Sequence, residues 1–381
     1  MAAVERFGPL HASDHRTPYL SLLARSEGFT LQELDRAWLA DRRLDRRGPM
    51  RGTLHLVPAG RLGELVCSFG TARAEDDRWL REAGVGASEA ELFARAIEDV
   101  LDRDGALELS ALKRALPARL AARATEKTRT GPSILATVVR WMSAAGRLAT
   151  TARHDPPGGP AVDGWTRAPQ AYERVERAFG PLPRCERDEA DARLARWYFE
   201  AHGPAAYEDW AWWTGLPAGR SKAAFGAVRP ELDEVTVDGW PEMVYLPASG
   251  DASGLPRPPG GGPVVRLLPY EDAGIKAYRA TRRRFFDADL AARQQTVFGE
   301  VLPAILLDGR VAGTWVSGAG GWAGALSAAA GRPDRGLAAE LFAPLDPPVR
   351  RVLDEELARV GGAIGAASPP VVRVDAPRGA G

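Results

Sequence analysis

The sequence predicts an α+β protein, mainly helical, with three tandem winged-helix units and a strand-rich C-terminal region. Three observations carry this. Apolar residues recur at helical spacing through the first two thirds of the chain. Each helical group is followed by two short strand-like runs around a turn. Past "ASGDASGLPRPPGGGP", a flexible loop by composition, apolar runs of strand length take over.

The first unit is expected over residues 1–75. "TPYLSLLARS" has helical periodicity, and Thr30 opens "LQELDRAWLAD" with Glu33 three positions on, a capping box. "RRLDRRGPMRGTLHLV" reads as two strands around a Gly-Pro turn, and "AGRLGELVCSF" as a closing helix. The second unit, 76–170, has a helix "SEAELFARAIEDVLDRDG" capped by Ser88 and a helix "ELSALKRALPARL" cut short by Pro117. A third helix, "GPSILATVVRWMSAAG", precedes a strand, loop and strand in "RLATTARHDPPGGPAVDGWTRA". The third unit, 185–247, has helices "ADARLARWYFEAHG", "PAAYEDWAWWTGL" and "AGRSKAAFGAV", then a hairpin turning at Asp238-Gly239. From 260 to 381, "VVRLLPY" and "EVLPAILLDGRVAGTWV" read as strands, a long helix starts near 348, and the tail "DAPRGAG" reads as frayed.

Composition narrows the function classes. The 381 residues are 45% hydrophobic and 26% charged, which fits a globular chain. Fifty basic residues balance fifty acidic ones, so binding to a polyanion would rest on local patches. The two cysteines, Cys67 and Cys185, fit neither a metal-ligand spacing nor a disulfide framework, so a cytoplasmic location is expected. No signal peptide or membrane span is evident. Winged helices point to DNA, with protein contacts as the rival use. The basic candidates are Arg46, Arg47 and Arg51 at the first hairpin, and Arg123, Lys127 and Arg129 before the third helix of unit two. Arg220 and Lys222 in unit three and the run Arg282, Arg283 and Arg284 complete the set. Each cluster alone also fits a solvated face; together they suffice to neutralise several phosphates. Trp141, Trp210, Trp213 and Trp315 read as core rather than as a base-stacking surface, and His202 as a helix C-terminal cap.

The stretch "GPLHASDHRTPYLSLLAR" holds two of the five histidines ahead of an apolar helix. Composition leaves it open as a helix entry or a chemical site. "MRGTLHLVPAGRL" (50–62), "HGPAAYEDWAWWTGL" (202–216), "VRLLPYEDAGIKAYR" (265–279) and "GEVLPAILLDGRVAGTW" (299–315) occur together and in this order. With them the chain resembles, over nearly its whole length, the winged-helix family of bacterial DNA glycosylases that includes AlkZ and YcaQ. The resemblance implies three winged helices and a C-terminal β-barrel-like domain (260–381) around double-stranded DNA. It implies a monomeric, nucleoid-associated enzyme that hydrolyses the glycosidic bond of bulky N7-alkylguanine adducts, in repair or self-resistance against a DNA-alkylating natural product, with no cofactor or metal. It adds His55 to the DNA contacts.

The family's catalytic motif is Gln-apolar-Gln or Gln-apolar-Asp. The matching positions here read His11-Ala12-Ser13, with Asp14 following, which makes His11, Ser13 and Asp14 the catalytic candidates. About ten residues precede this motif, fewer than the family's extra helix requires, so a short N-terminus is expected. The chemistry accommodates the change of residues. An N7-alkylated guanine is cationic and leaves as a neutral base, so the enzyme needs a placed water and a stabilised oxocarbenium-like sugar. A neutral imidazole accepts a hydrogen bond from water, a serine orients it, and Asp14 either offsets cationic character or forms an Asx turn. No lysine lies in this stretch, so a Schiff-base lyase is not expected there. The alternative is a non-catalytic DNA-binding regulator or adduct-sequestering protein, distinguished by binding without base release.

Overall fold

The computed structural model describes residues 2–48, 50–71, 73–151, 163–166, 171–247, 261–286, 288–296, 299–317 and 336–374. The chain opens with α1 (Ala2–Phe7), β1 (Leu10–His11), α2 (Thr17–Leu23), α3 (Leu31–Asp35), β2 (Leu44–Arg47), β3 (His55–Pro58) and α4 (Leu62–Phe69). Thr30 and Glu33 form the expected reciprocal cap on α3, an arrangement worth about 1 kcal/mol. Next come α5 (Arg78–Ala83), α6 (Ala87–Asp104), β4 (Leu107–Glu108), α7 (Leu109–Ala115), α8 (Ala118–Arg123), α9 (Ile134–Ala144), β5 (Leu148–Thr151) and β6 (Ala171–Arg174). Gly86, not Ser88, is the N-cap of α6, and Ser88 lies inside the first turn.

After α10 (Val175–Phe179), a third group follows: α11 (Arg187–His202), α12 (Tyr207–Thr214), α13 (Ala218–Val228), β7 (Asp233–Val235) and β8 (Met243–Tyr245). One topology recurs in all three groups. A short extended piece between two helices pairs with the last strand, which also pairs with the strand before it. The sheet orders are β1-β3-β2 and β4-β6-β5. In the third group a single residue, Ala205, bridges Val244 beside the β7-β8 hairpin. β1 and β4 are not expected from the sequence, because two-residue strands are too short to show a period; α1 is a one-to-two-turn helix ahead of His11, where the sequence reading expects too few residues for one.

The C-terminal region contains β9 (Val265–Leu268), α14 (Ala273–Lys276), α15 (Ala288–Gln294), β10 (Ala304–Leu307), β11 (Arg310–Ser317), β12 (Leu337–Leu341), α16 (Pro347–Ala363) and β13 (Val371–Val374). Its strands form a mixed sheet in the order β13-β12-β11-β10-β9, with only β12 and β13 parallel. This corrects the barrel-like expectation: β9 and β13 do not pair, so the sheet is open among the described residues. The expected loop at 248–260, the Pro-Gly loop at 152–162 and the tail from 375 lie outside the described residues.

The first group has no core of its own. Leu10, Tyr19, Leu20, Leu23 and Trp38 share one apolar cluster with Val265, Ile305, Trp315, Leu341 and Leu357 of the C-terminal region. Trp141 and Trp210 belong to the other groups' cores, as expected. The third group is tied to the C-terminal region by a buried carboxylate. Asp209 of α12 accepts the backbone N–H groups of Arg279 (2.7 Å), Ala280 (2.7 Å) and Thr281 (3.2 Å), the Thr281 hydroxyl (2.6 Å) and the Ala206 N–H (3.2 Å). Asp209→Ala strands these donors in the interior. It should cost about 3 kcal/mol or more, read as a lower urea midpoint; a loss under about 1 kcal/mol would contradict the assignment of a structural tie.

Candidate functional site

Burial of the shared core brings the start of the chain against the segment after β9. His11 ends β1 and pairs in register with His55 of β3. Arg25, just past the end of α2, forms a two-pronged ion pair with the fully buried Asp272, at 2.5 and 2.8 Å. That bond fixes Glu271, the preceding residue, beside His11. Glu271 holds a left-handed backbone (φ 53°), a conformation that is costly away from glycine. Its N–H donates to Val301 O (2.8 Å), and its carboxylate accepts the Val301 N–H (2.6 Å). Lys276 of α14 places its ammonium 2.9 Å from each Glu271 oxygen and donates to Gly299 O at 3.1 Å.

His11, His55, Glu271 and Lys276 line a cavity of about 60 Å³, together with Met50, Arg51, Thr53 and Trp213. About 10–15 Å³ of such space suffices for one water and about 150 Å³ admits a benzene ring, so the cavity holds a few waters and does not enclose a nucleobase. The His11 ring packs edge-on against His55 (5.7 Å) and Tyr270 (6.1 Å). Its Nδ1 is buried without a hydrogen-bond partner, and its Nε2 lies 3.9 Å from Glu271, too far for a direct bond. Burial, reinforced by the neighbouring His55, Lys276 and Arg46, pulls the His11 pKa down to about 3. Burial pulls His55 down to about 4, although His55 Nδ1 also bonds Thr53 O. The site therefore joins neutral imidazoles to one ion-paired carboxylate.

The structure separates the other two catalytic candidates from His11. Ser13 is exposed and borders a second cleft of about 520 Å³, with Arg46, Trp79, Arg140 and Tyr172. Asp14 accepts the Arg16 N–H at 2.9 Å, which is the Asx-turn role. Several basic candidates are already engaged internally. Arg47 is buried against Asp45, and Arg220 forms a two-pronged pair with Asp191. Arg46 donates to Ala12 O, Arg282 to Tyr278 O, Arg283 to Gly239 O, and Arg284 to Pro204 O and Thr281. Lys127, Arg129, Lys222 and Arg51 have exposed side chains, while Arg123 is tied up with Glu89 and Glu126.

Sequence reasoning missed Glu271, Lys276, Tyr270 and Trp212. The signal available was the acidic-basic spacing in "YEDAGIKAYR", which reads equally as a solvated helix. His202 is not a charged helix cap. Its ring packs on Tyr198, Trp213 and Tyr278, and burial pulls its pKa to about 3.

Three buried neutral histidines make a testable signature. The fold disfavours their imidazolium forms, so unfolding takes up protons. The contribution is nil above the unfolded pKa of 6.5 and becomes destabilising as pH falls toward the folded values near 3 and 4. Each group then costs about 1.4 kcal/mol per pH unit. In an NMR titration of the ring protons, His11, His55 and His202 should show no inflection above pH 5; an inflection near 6.5 for His11 would place it in a wetter site.

Comparison with known proteins gives two concordant results. A family model described as DNA glycosylase AlkZ-like covers residues 4–363. The fold is similar to that of the Streptomyces sahachiroi DNA glycosylase AlkZ, with a TM-score of 0.72 and 22% identity over 98% of this chain and 92% of that one. No curated protein matches. The shared fold and a family match across nearly the whole length lead to one conclusion: the chain belongs to the AlkZ-like family of DNA glycosylases.

Proposed function

We propose that this protein hydrolyses the N-glycosidic bond of N7-alkylguanine in duplex DNA, acting as a monofunctional, cytoplasmic monomer. The observation that carries the reading is the water-sized cavity walled by His11, Glu271 and Lys276 in a chain of this family. We read the three repeated groups as winged-helix units, on their common strand order, within residues 1–75, 76–170 and 185–247. Lys127, Arg129 and Lys222 are the exposed candidates for backbone contacts.

The chemistry follows from the groups present. The C1′–N9 bond breaks with its electron pair going to the base, which leaves as neutral N7-alkylguanine. Positive charge develops on the sugar, and the Glu271 carboxylate stabilises it across a poorly solvated gap. Water in the cavity, held by the neutral His11 ring, adds to C1′ and passes its proton to Glu271. Lys276 holds Glu271 in place through their ion pair; burial lowers the Lys276 pKa, but its nitrogen is engaged by Glu271 and by Gly299 O, which supports hydrolysis over Schiff-base chemistry. A base too large for the cavity stays outside it, so bulky adducts are compatible with the site. This supports a role in repair of, or self-resistance to, a DNA-alkylating natural product.

Single-turnover excision on a duplex with one N7-alkylguanine tests the assignment. His11→Ala and Glu271→Gln should each slow base release about 10²-fold or more, with duplex affinity nearly unchanged, and Ser13→Ala should stay close to wild type. Wild-type release by His11→Ala would remove the ring from the chemistry; binding without release by the wild type would favour the non-catalytic alternative.

Lesion choice gives a separate test. Bulky N7-guanine adducts should be excised, N7-methylguanine more slowly, and uracil, which departs as an anion, least of all. A preference for uracil, seen in the same assay, would contradict the leaving-group argument.

A further inference from the structure

Four cations converge on one indole. The guanidinium carbon of Arg51 lies 3.4 Å from the Trp212 ring centroid, and those of Arg279 and Arg282 lie at 4.9 and 5.9 Å. The Lys276 ammonium lies at 5.8 Å. The carboxylates facing this group are already committed. Glu271 is bound by Lys276 and the Val301 N–H, and Asp209 by backbone N–H groups and Thr281. Arg51 and Arg279 have no acidic partner among the described residues. Arg282 is only 7% exposed, yet its Nη2 has no hydrogen-bond partner, and neither does the buried Trp212 Nε1.

Such crowding of like charge is costly without a counterion. Stacking on Trp212 satisfies the face of a guanidinium but none of its in-plane N–H donors. Those donors are the ones that match a phosphate's oxygens. The fold also invests in the arrangement. Arg51 takes a left-handed φ of 51°, and its stem crosses Gly215, where a Cβ would meet Arg51 Cγ at 2.6 Å. Arg51 and Lys276 also line the His11 cavity, so the cluster adjoins the reaction site.

We propose that Arg51 and Arg279, arrayed on Trp212 and backed by the buried charge of Arg282, form a seat for one phosphodiester of the DNA strand whose sugar faces the His11 cavity. The assignment to DNA rests on the function proposed above; the anion seat itself does not. Seating one phosphate fixes the strand's position, so that the sugar beside it meets Glu271 and His11.

The test pairs two probes on the full-length protein. Inorganic pyrophosphate is titrated by thermal unfolding into wild type, an Arg51→Gln/Arg279→Gln double variant and a control, Arg351→Gln, at an exposed position of α16. Pyrophosphate should stabilise wild type and control alike, with at least about tenfold weaker apparent affinity in the double variant, the loss of two charge-assisted contacts. An equal response in all three overturns the seat. A lesion duplex is then scanned with single methylphosphonates. One position beside the lesion should cost wild type about tenfold or more in affinity and the double variant less than about twofold. The slope of log affinity against log salt should fall by about 0.9 in the double variant. A duplex that binds all proteins with one slope, or shows no special position, overturns the assignment. Selective pyrophosphate binding by a wild type that ignores the duplex would keep the anion seat and overturn its assignment to DNA.

Discussion

Asp209 is the constraint on which the rest of the molecule depends. Five donors converge on its two oxygens, three of them consecutive backbone N–H groups of the 279–281 turn. No neutral side chain of this size accepts so many bonds. The interaction joins α12 to a turn some seventy residues later. Trp212 stands on the same helix as Asp209, and Arg279 on the turn that it gathers. The stack of indole and guanidinium groups is thus a product of one carboxylate's appetite for N–H donors.

A second buried carboxylate does the same work at the other end of the C-terminal segment. Asp272 holds Arg25, and through it α2 and the His11 strand. Between the two anchors lie Glu271, α14 and Lys276. The segment is therefore fixed to the first group at one end and to the third group at the other. A catalytic carboxylate needs this kind of support, because placement within a fraction of an ångström governs both its hydrogen bonds and its field. The left-handed backbone of Glu271 belongs to the same economy: strain at one residue is held in place by the bonds of its neighbours.

Much of the local structure was legible in the sequence. The capping box at Thr30, the longer helices of all three groups, the Asp238-Gly239 hairpin and the "LLDGRVAG" hairpin rest on short-range rules that the chain obeys. His11 is legible as a site residue through the resemblance, whereas His55, expected as a DNA contact, is buried against the His11 ring. The rest was hidden for a physical reason. Glu271 and Lys276 reach His11 across more than two hundred and fifty residues, and only the shared core of the first group and the C-terminal sheet makes them neighbours. The arginines suffered the opposite error. Arg47, Arg220 and Arg282 read as surface charge, because their burial shows only in three dimensions: Arg220 meets Asp191 of another helix, and the local partners Asp45 and Tyr278 O are packed inside with Arg47 and Arg282. Ser13 pairs with His11 only through the resemblance, as the second of the family's two catalytic positions; the strand ends at His11 and the chain turns into the second cleft.

The hairpin turn between β2 and β3 has a consequence of its own. Arg51 lies across Trp212 of the third group, while a side chain at Gly52 would meet Trp79 and Arg140 of the second at 3.1 Å. Both residues of the turn take left-handed φ, 51° and 70°, a narrow region of backbone space. The turn thus forms wall for both clefts: Arg51 lines the His11 cavity, Gly52 lines the larger cleft beside Trp79 and Arg140, and Thr53 lines both. Consecutive left-handed residues leave such a turn few alternative shapes, so the two clefts share one narrowly defined stretch of wall.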